Sequence, residues 1–523
     1  MRLLTVIQED ETLTGFRPLS WSRPVYELRC GILNLRERCE LLRDDQAGDE
    51  LGLLPHAPLA AFGGPDGVAV GAEPVAAACA RADRVLLLNA RLGPSHRLLS
   101  ALLDLARQAE GWYLRDRWGV LASALGPGAA RAAVAAWAVW DAARAREGCW
   151  RDASRDVAPL ELGAADGAPR DGSGTAARAG GATGASGASG ATGGSAQQAG
   201  SDAGGAPVCR LADAPAGGAA DAVLAACGNA GEGSPAAFGH LWDLVPATAA
   251  AIAGDLRDFL AGGRIEGRWI FGAIAAAGSP PVWSLPGRLT EAGALTPGPA
   301  AVHGDAGVWL GADVDLGPQT VLAADHGPIV LDRGVVVEGL CYLAGPLYVG
   351  PGARIKAGAR IYGETSVGAG CKLAGEVAES TFLDLGNKQH DGFIGHAYLG
   401  GWVNLGAGTT CSDLKNNYGT VRVDQGAGEV DTGQRFVGLL LGEHAKTAIG
   451  TMLNTGSCVG FASNVFARGF PPKFLPNFTW GDDPAGPPYD AARAAATART
   501  VMARRGCRFT AAHEQLFGAL ARG

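Results

Sequence analysis

The chain has no Cys-x-x-Cys pair, no apolar run long enough to cross a membrane and no excess of basic charge. Its 11 cysteines are scattered and odd in number, which suits reduced thiols better than a disulfide framework. No Cys/His cluster has metal-site spacing, so no structural metal is expected. A net charge of −8 argues against nucleic acid as the main partner. The N-terminus, MRLLTVIQEDE, has only a short apolar run before acidic residues and lacks the apolar core of a signal peptide. Composition therefore predicts a soluble, cytoplasmic protein without nucleic-acid or membrane partners. At 523 residues it has room for two or three domains.

What is present is a period of six. From Val349 to Ala378 an aliphatic residue recurs at Val349, Ile355, Ile361, Val367 and Leu373. Four positions after each comes a small or β-branched residue: Ala353, Ala359, Thr365, Cys371 and Val377. Leu310 with Val314 and Leu316 with Thr320 keep the same frame upstream. Six is neither the helical period nor simple strand alternation. It is the repeat of a parallel β-helix, in which each unit gives one flat strand and one tight turn. Stacked units bury a continuous core that none could bury alone.

In chain order, residues 1–162 read as a mixed α/β domain. LLTVI (3–7) and RVLLLNA (84–90) are buried-strand runs, with helical patterns over 32–42 and around 129–145. This alternation predicts a parallel sheet covered on both faces. Residues 163–207 are a Gly/Ala/Ser-rich tether or insertion. Residues 208–280 resume globular character and include one amphipathic helix over 240–264, with Leu241, Leu244, Ile252, Leu256 and Phe259 inward. The β-helix is expected over 281–470, followed by a C-terminal loop and closing helix within 471–523.

The run IGHAYLGGWVNLGAGTTCSDLKNNYGTVRV (394–423) resembles the acetyltransferase half of the GlmU family. FRPLSWSRPVYELRCGILNLRE (16–37), WDL (242–244) and the late GEHAKTAIGTMLNTGS…FPPKF resemble the GlmU-like sugar nucleotidyltransferases. The resemblance implies an α/β nucleotidyltransferase-like N-terminal domain plus a C-terminal left-handed parallel β-helix. It further implies a homotrimer, acetyl-CoA as co-substrate, and a sugar phosphate or nucleotide sugar as substrate.

Acyl transfer to an amine needs a base for the departing proton and donors for the oxyanion. Within the motif GHxxYLG the family's general base falls on His396, with His390 close enough to compete. The substrate-binding positions fall on Tyr398, Asn404, Asn417, Tyr418 and Lys356, with Lys388 standing in for a second phosphate-binding lysine. Ala407 matches a backbone contact to acetyl-CoA. Taken singly, each of these has an ordinary turn or surface explanation.

The N-terminal half departs from the nucleotidyltransferase loop GxGTRLxPLTxxxPK. Gln8-Glu9-Asp10 follow the first strand, Val25 stands at the lysine position and Asn89 where a metal-binding aspartate is expected. Arg17, Arg23 and Arg29 are the nearest cations. They would either bind phosphate or form surface and interdomain salt bridges. Mg²⁺ would be required if this domain is active. Three readings follow: an acetyl-CoA-dependent N-acyltransferase, a sugar-1-phosphate nucleotidyltransferase, and a non-catalytic trimeric scaffold.

Overall fold

The computed structural model describes residues 1–147 apart from 10, 44–45, 57–58, 63–66 and 117–118, then 197–199, 209–212, 214, 218–228, 237–260 and 300–522. Most of the 163–207 tether, the end of the predicted 240–264 helix and the predicted start of the β-helix after Pro280-Pro281 lie outside the described residues.

The strand runs of the N-terminal half become β1 (Leu3–Gln8), β2 (Glu50–Leu54), β3 (Ala69–Val70) and β4 (Arg84–Asn89). They continue with β5 (Tyr113–Asp116), β6 (Gly119–Leu125), β7 (Gln197–Ala199) and β8 (Cys209–Ala212). Sheet order is β3-β2-β1-β4-β6-β5-β8-β7. Only the β3-β2-β1-β4 half is parallel, which corrects the expected all-parallel sheet; β6 runs antiparallel to β4 and β5. The turn between β5 and β6 is too short for a crossover, so the pair has to be antiparallel.

β1 is buried along its whole length and sorts its side chains by parity. Leu4 and Val6 pack with Val75 of α2 (Ala72–Cys79) and with Val134 and Trp137 of α4 (Pro127–Glu147). Leu3 and Ile7 join Leu98, Leu102 and Leu105 of α3 (His96–Gln108) and Val223 of α5 (Gly218–Gly228). The helix read over 32–42 is α1 (Leu35–Leu42), opened by a capping box between Asn34 and Glu37. The 240–264 pattern resolves into a 3₁₀ turn at Leu241–Asp243 and α6 (Leu244–Leu260), with Leu241, Leu244, Ile252 and Leu256 buried.

From Ala301 to Leu475 the chain winds as a parallel β-helix whose strands stack in three main sheets of nine, five and six strands, consistent with a left-handed β-helix. Ile355 pairs with Leu373, 18 positions on, so a full coil spends three units of six. Every aliphatic and small position of the 349–377 frame is fully buried, except that the frame's own turns stay open to solvent. The corners adopt left-handed backbone: Gly352 and Gly370 (φ 64° and 63°) supply it without a Cβ penalty. The same column then continues through Leu385, Trp402 and His444, at φ 64°, 62° and 59°.

One long face of this prism is not open to water. Val330, Tyr348, Ser366, Thr381, Tyr398, Leu440 and Cys458 point outward from nine-strand sheet positions, yet none is more than 2% exposed. The N-terminal domain lies against them. Ser366 Oγ donates to the Gly31 carbonyl (2.6 Å) and Tyr398 Oη to the Arg29 carbonyl (2.7 Å). Ile252 and Leu256 of α6 pack with Ile32, Leu33, Val330 and Tyr348. Tyr398, Leu440 and Cys458 belong to the same buried cluster as Leu3, Phe16, Leu19 and Leu102.

The C-terminal segment ends in α7 (Ala491–Ala503), close to the expected closing helix, and a second helix, α8 (Ala511–Arg522), not read from the sequence. Phe517 of α8 packs on Phe461 and Phe478. Among the described residues no helix is long and apolar enough to cross a membrane.

A core shared by both halves predicts one cooperative transition by scanning calorimetry, not a separate transition for each domain. Tyr398→Phe removes one buried hydrogen bond across the junction and should cost about 1 kcal/mol. Two resolved transitions, or an unaltered stability in Tyr398→Phe, would contradict the shared core.

Candidate functional site

His396 occupies a prism corner, with left-handed backbone at φ 45°. The two preceding coils place Glu379 (φ 43°) and Glu364 (φ 58°) in the same corner column, since His396 N–H donates to Ala378 O and Glu379 N–H to Gly363 O. Side chains in such a column stand one strand spacing apart, about 4.8 Å. His396 Nε2 meets Glu379 Oε2 at 2.6 Å. Nδ1 meets Asp413 Oδ2 at 2.8 Å, and the ring stacks on Phe436 with centroids 4.8 Å apart.

Asp413 and Phe436 come from the two ends of an insertion at this corner. Leu399 pairs with Leu441, 42 positions on, where the regular coil uses 18. The extra residues, 412–437, leave the prism as a loop with a two-stranded hairpin of Arg422–Asp424 and Glu429–Asp431. Val437 N–H donates to Asp413 O at 3.0 Å, closing the base of the loop. Asp413, Glu379, Glu364 and Phe436 were not singled out from sequence; the available signal was the broken six-residue frame after Cys411.

Burial alone would lower the His396 pKa, but the hydrogen bonds it donates to Asp413 and Glu379, reinforced by their charges, raise it from 6.5 to about 9. In the resting protein the ring is therefore an imidazolium between carboxylates, donating from both nitrogens. Glu364, pushed up by burial and then by the Glu379 charge, completes an acidic corner.

The other predicted residues are dispersed. Asn417 and Tyr418 stand exposed on the insertion, Tyr418 at φ 57°. Asn404 is exposed on a different face and accepts from Asn387 Nδ2 at 2.6 Å. Ala407 sits at another corner, where its carbonyl accepts from Gly450 N–H, beside the exposed Ile449 and Met452. Lys356 is paired with Glu338 at 2.5 Å, and His390 is exposed in a turn away from the His396 corner.

Two placements correct the sequence reading. Lys388 takes an inward position opposite Leu373, and its Nζ donates to Ala374 O and His390 O, each at 2.8 Å. Burial lowers its pKa to about 8, and the side chain braces a turn from inside instead of facing a substrate. Tyr398 is fully buried, and its hydroxyl is used by Arg29 O at the domain junction.

At the carboxyl ends of β1 and β2, where open α/β sheets bind ligands, Glu9 is 1% exposed. Its carboxylate accepts from Val25 N–H (2.7 Å) and His56 N–H (2.8 Å) and meets His56 Nδ1 at 2.8 Å. Arg23 binds Glu443 through Nε and an Nη atom, at 3.0 and 2.7 Å. Arg29 faces Asp384 at 3.6 Å and lies over the Tyr348 ring. Arg17 is buried over the Trp21 ring. Asn89 caps its own strand end, accepting from Arg91 N–H. Among the described residues no group of His, Cys, Asp and Glu could hold a metal ion.

Residues 5–131 match the sugar nucleotidyl transferase family. The chain is 30% identical over 131 residues to the bifunctional protein GlmU of Jannaschia sp. (strain CCS1), which covers 24% of this chain and 27% of that protein. It is 26% identical over 91 residues to a bifunctional sugar-1-phosphate nucleotidylyltransferase/acetyltransferase of Sulfurisphaera tokodaii, covering 17% and 23%. The chain thus spans about a quarter of the length of the curated relatives it matches. Together these define a nucleotidyltransferase-type α/β domain joined to a β-helix. Over these stretches the chain is similar to bifunctional GlmU-type proteins.

The raised pKa of His396 fixes the sign of a stability effect. Stability supplied by the imidazolium is fully present below the ordinary value of 6.5 and lost as pH rises through about 9. The stability difference between wild type and His396→Gln, measured by urea unfolding across that window, should therefore narrow as pH rises. A constant difference would mean the two carboxylates do not hold the ring charged.

Proposed function

We propose that the protein is an acyl-CoA-dependent N-acyltransferase of sugar-nucleotide biosynthesis, with His396 as general base. The observation that carries this reading is the His396 geometry: Asp413 holds Nδ1 while Nε2 meets the half-exposed Glu379. The acceptor is an amino-sugar phosphate or a nucleotide amino sugar, by analogy with the relatives.

Bound acetyl-CoA supplies an acyl group activated as a thioester. Before turnover His396 releases its extra proton, leaving Nδ1–H on Asp413 and a free lone pair on Nε2. The acceptor amine would displace Glu379 and give its proton to Nε2 as its nitrogen attacks the acyl carbon; the acyl C–S bond then breaks, and the departing thiolate takes the proton from Nε2 and leaves as free CoA thiol. Phe436, stacked on the ring, limits rotation of the base. Tyr418 and Asn417 stand exposed on the same insertion as Asp413. Ala407, with exposed Ile449 and Met452, offers an apolar strip suited to a pantetheine arm. Because Ala407, Asn404 and Lys356 sit away from the His396 corner, they would serve this site from a neighbouring copy in a homotrimer.

The family match over residues 5–131 favours a second reading, nucleotidyl transfer. The residues present do not fit a Mg²⁺–nucleoside triphosphate: a carboxylate holds the loop amides, and two of the three loop arginines, Arg23 and Arg29, are paired with carboxylates.

Purified protein should release free thiol from acetyl-CoA with glucosamine 1-phosphate as acceptor. His396→Ala should lower the rate by roughly 10²–10⁴-fold without loss of fold. The wild-type rate should climb with pH toward about 9, where the base form appears. Undiminished turnover in His396→Ala would remove the assigned base.

A further inference from the structure

We propose that the N-terminal domain no longer handles nucleotide and instead braces the His396 corner, tying the 412–437 insertion in place through Gln425. The inference rests on the acyl-transfer reading for its purpose, though not for its geometry.

The first support is the state of the crevice at the carboxyl ends of β1 and β2. Backbone N–H groups there are suited to bind an anion, and they are already satisfied by the chain's own anion. Glu9 takes the Val25 and His56 amides and the His56 ring together. A triphosphate would have to displace a buried, threefold-bonded carboxylate and then lie beside it. Two of the three loop arginines are committed as well, Arg23 to Glu443 and Arg29 to Asp384, both carboxylates of the prism, while Arg17 is buried over the Trp21 ring. Among the described residues a cavity of about 250 Å³ lies between the domains, bounded by Arg23, Tyr26, Leu53, Trp402, His444 and Phe517. That falls below the roughly 300–1,000 Å³ typical of small-molecule pockets.

The second support is where the insertion is anchored. Gln425 is 8% exposed, and its Nε2 donates to Gly15 O at 3.0 Å and to Arg17 O. Val421, Val423 and Val437 from the same insertion are buried in one cluster with Phe16 and Leu19 of the N-terminal domain. Val437 is bonded to Asp413 and adjoins Phe436, the two residues that hold the His396 ring. The N-terminal domain therefore grips both the middle and the base of the loop that sets the base's position. Three charged groups face His396: Asp413 from the insertion, Glu379 from the preceding coil and Glu364 one coil further. Only Asp413 depends on the brace. Gln425 is thus a positioning residue acting through Asp413.

The test uses full-length protein with ring-¹³C-labelled histidine, the His396 signal being assigned by its loss in His396→Gln. In Gln425→Ala, with calorimetry confirming an intact fold, the His396 titration midpoint should fall by about one unit or more as the Asp413 contact loosens. An unchanged midpoint in that variant would overturn the brace. If Gln425→Ala does not fold, Gln425→Asn keeps the amide but shortens its reach, and the same shift is expected. Equilibrium dialysis with UTP and Mg²⁺ should show no saturable binding to wild type, and a dissociation constant below about 1 mM would overturn the loss of nucleotide handling. Absence of thiol release with the titration shift intact would remove the acyl-transfer reading alone.

Discussion

The structure depends on the burial of one outward face of the prism. A β-helix normally satisfies its inward columns and leaves its faces to water. Here Tyr348, Ser366, Tyr398 and Leu440 are as dry as the interior, and the N-terminal domain covers them. The segment between β1 and α1, which in a nucleotidyltransferase would face substrate, faces the prism through Arg23, Arg29 and Gly31. Burying an ion pair such as Arg23–Glu443 yields little net stability, but leaving either partner alone would be costly. Such contacts specify one docking arrangement more than they strengthen it.

That arrangement governs the chemistry at His396. An imidazole squeezed by burial would be neutral, whereas one held between Asp413 and Glu379 is charged. The corner therefore stores a proton in the resting protein, and the two carboxylates differ in how they hold it. Asp413 is tied to a loop pinned by another domain; Glu379 stands on the prism itself, half exposed and free to yield. The division separates orientation of the ring from access to Nε2.

The inward columns were legible because a repeat writes its core into every unit: Val349, Ile355, Ile361, Val367 and Leu373 needed no partner to be recognised. His396 was singled out through its local motif, and the structure places it at a corner between two carboxylates. Asp413 and Glu379 were not, since their approach depends on how coils of unequal length stack. The docked face was hidden for a related reason: Arg23 and Glu443 are 420 positions apart, and nothing local marks either as the other's partner. Lys388 misled because a charged side chain in a repeat reads as outward, while its long apolar stem can fill an inward slot if carbonyls receive the ammonium. The all-parallel sheet failed at β5 and β6, where the shortness of one turn decided the pairing.

The left-handed corner column of Glu364, Glu379 and His396 has an evolutionary meaning. Each of these residues projects away from the prism from a backbone shape that the coil fixes for it. A substitution in that column rewrites surface chemistry without disturbing any inward layer, so long as the new residue tolerates a positive φ. Core and corner are thus separate alphabets in one chain. The first sets the coil, and the second sets the chemistry that the coil displays at its surface.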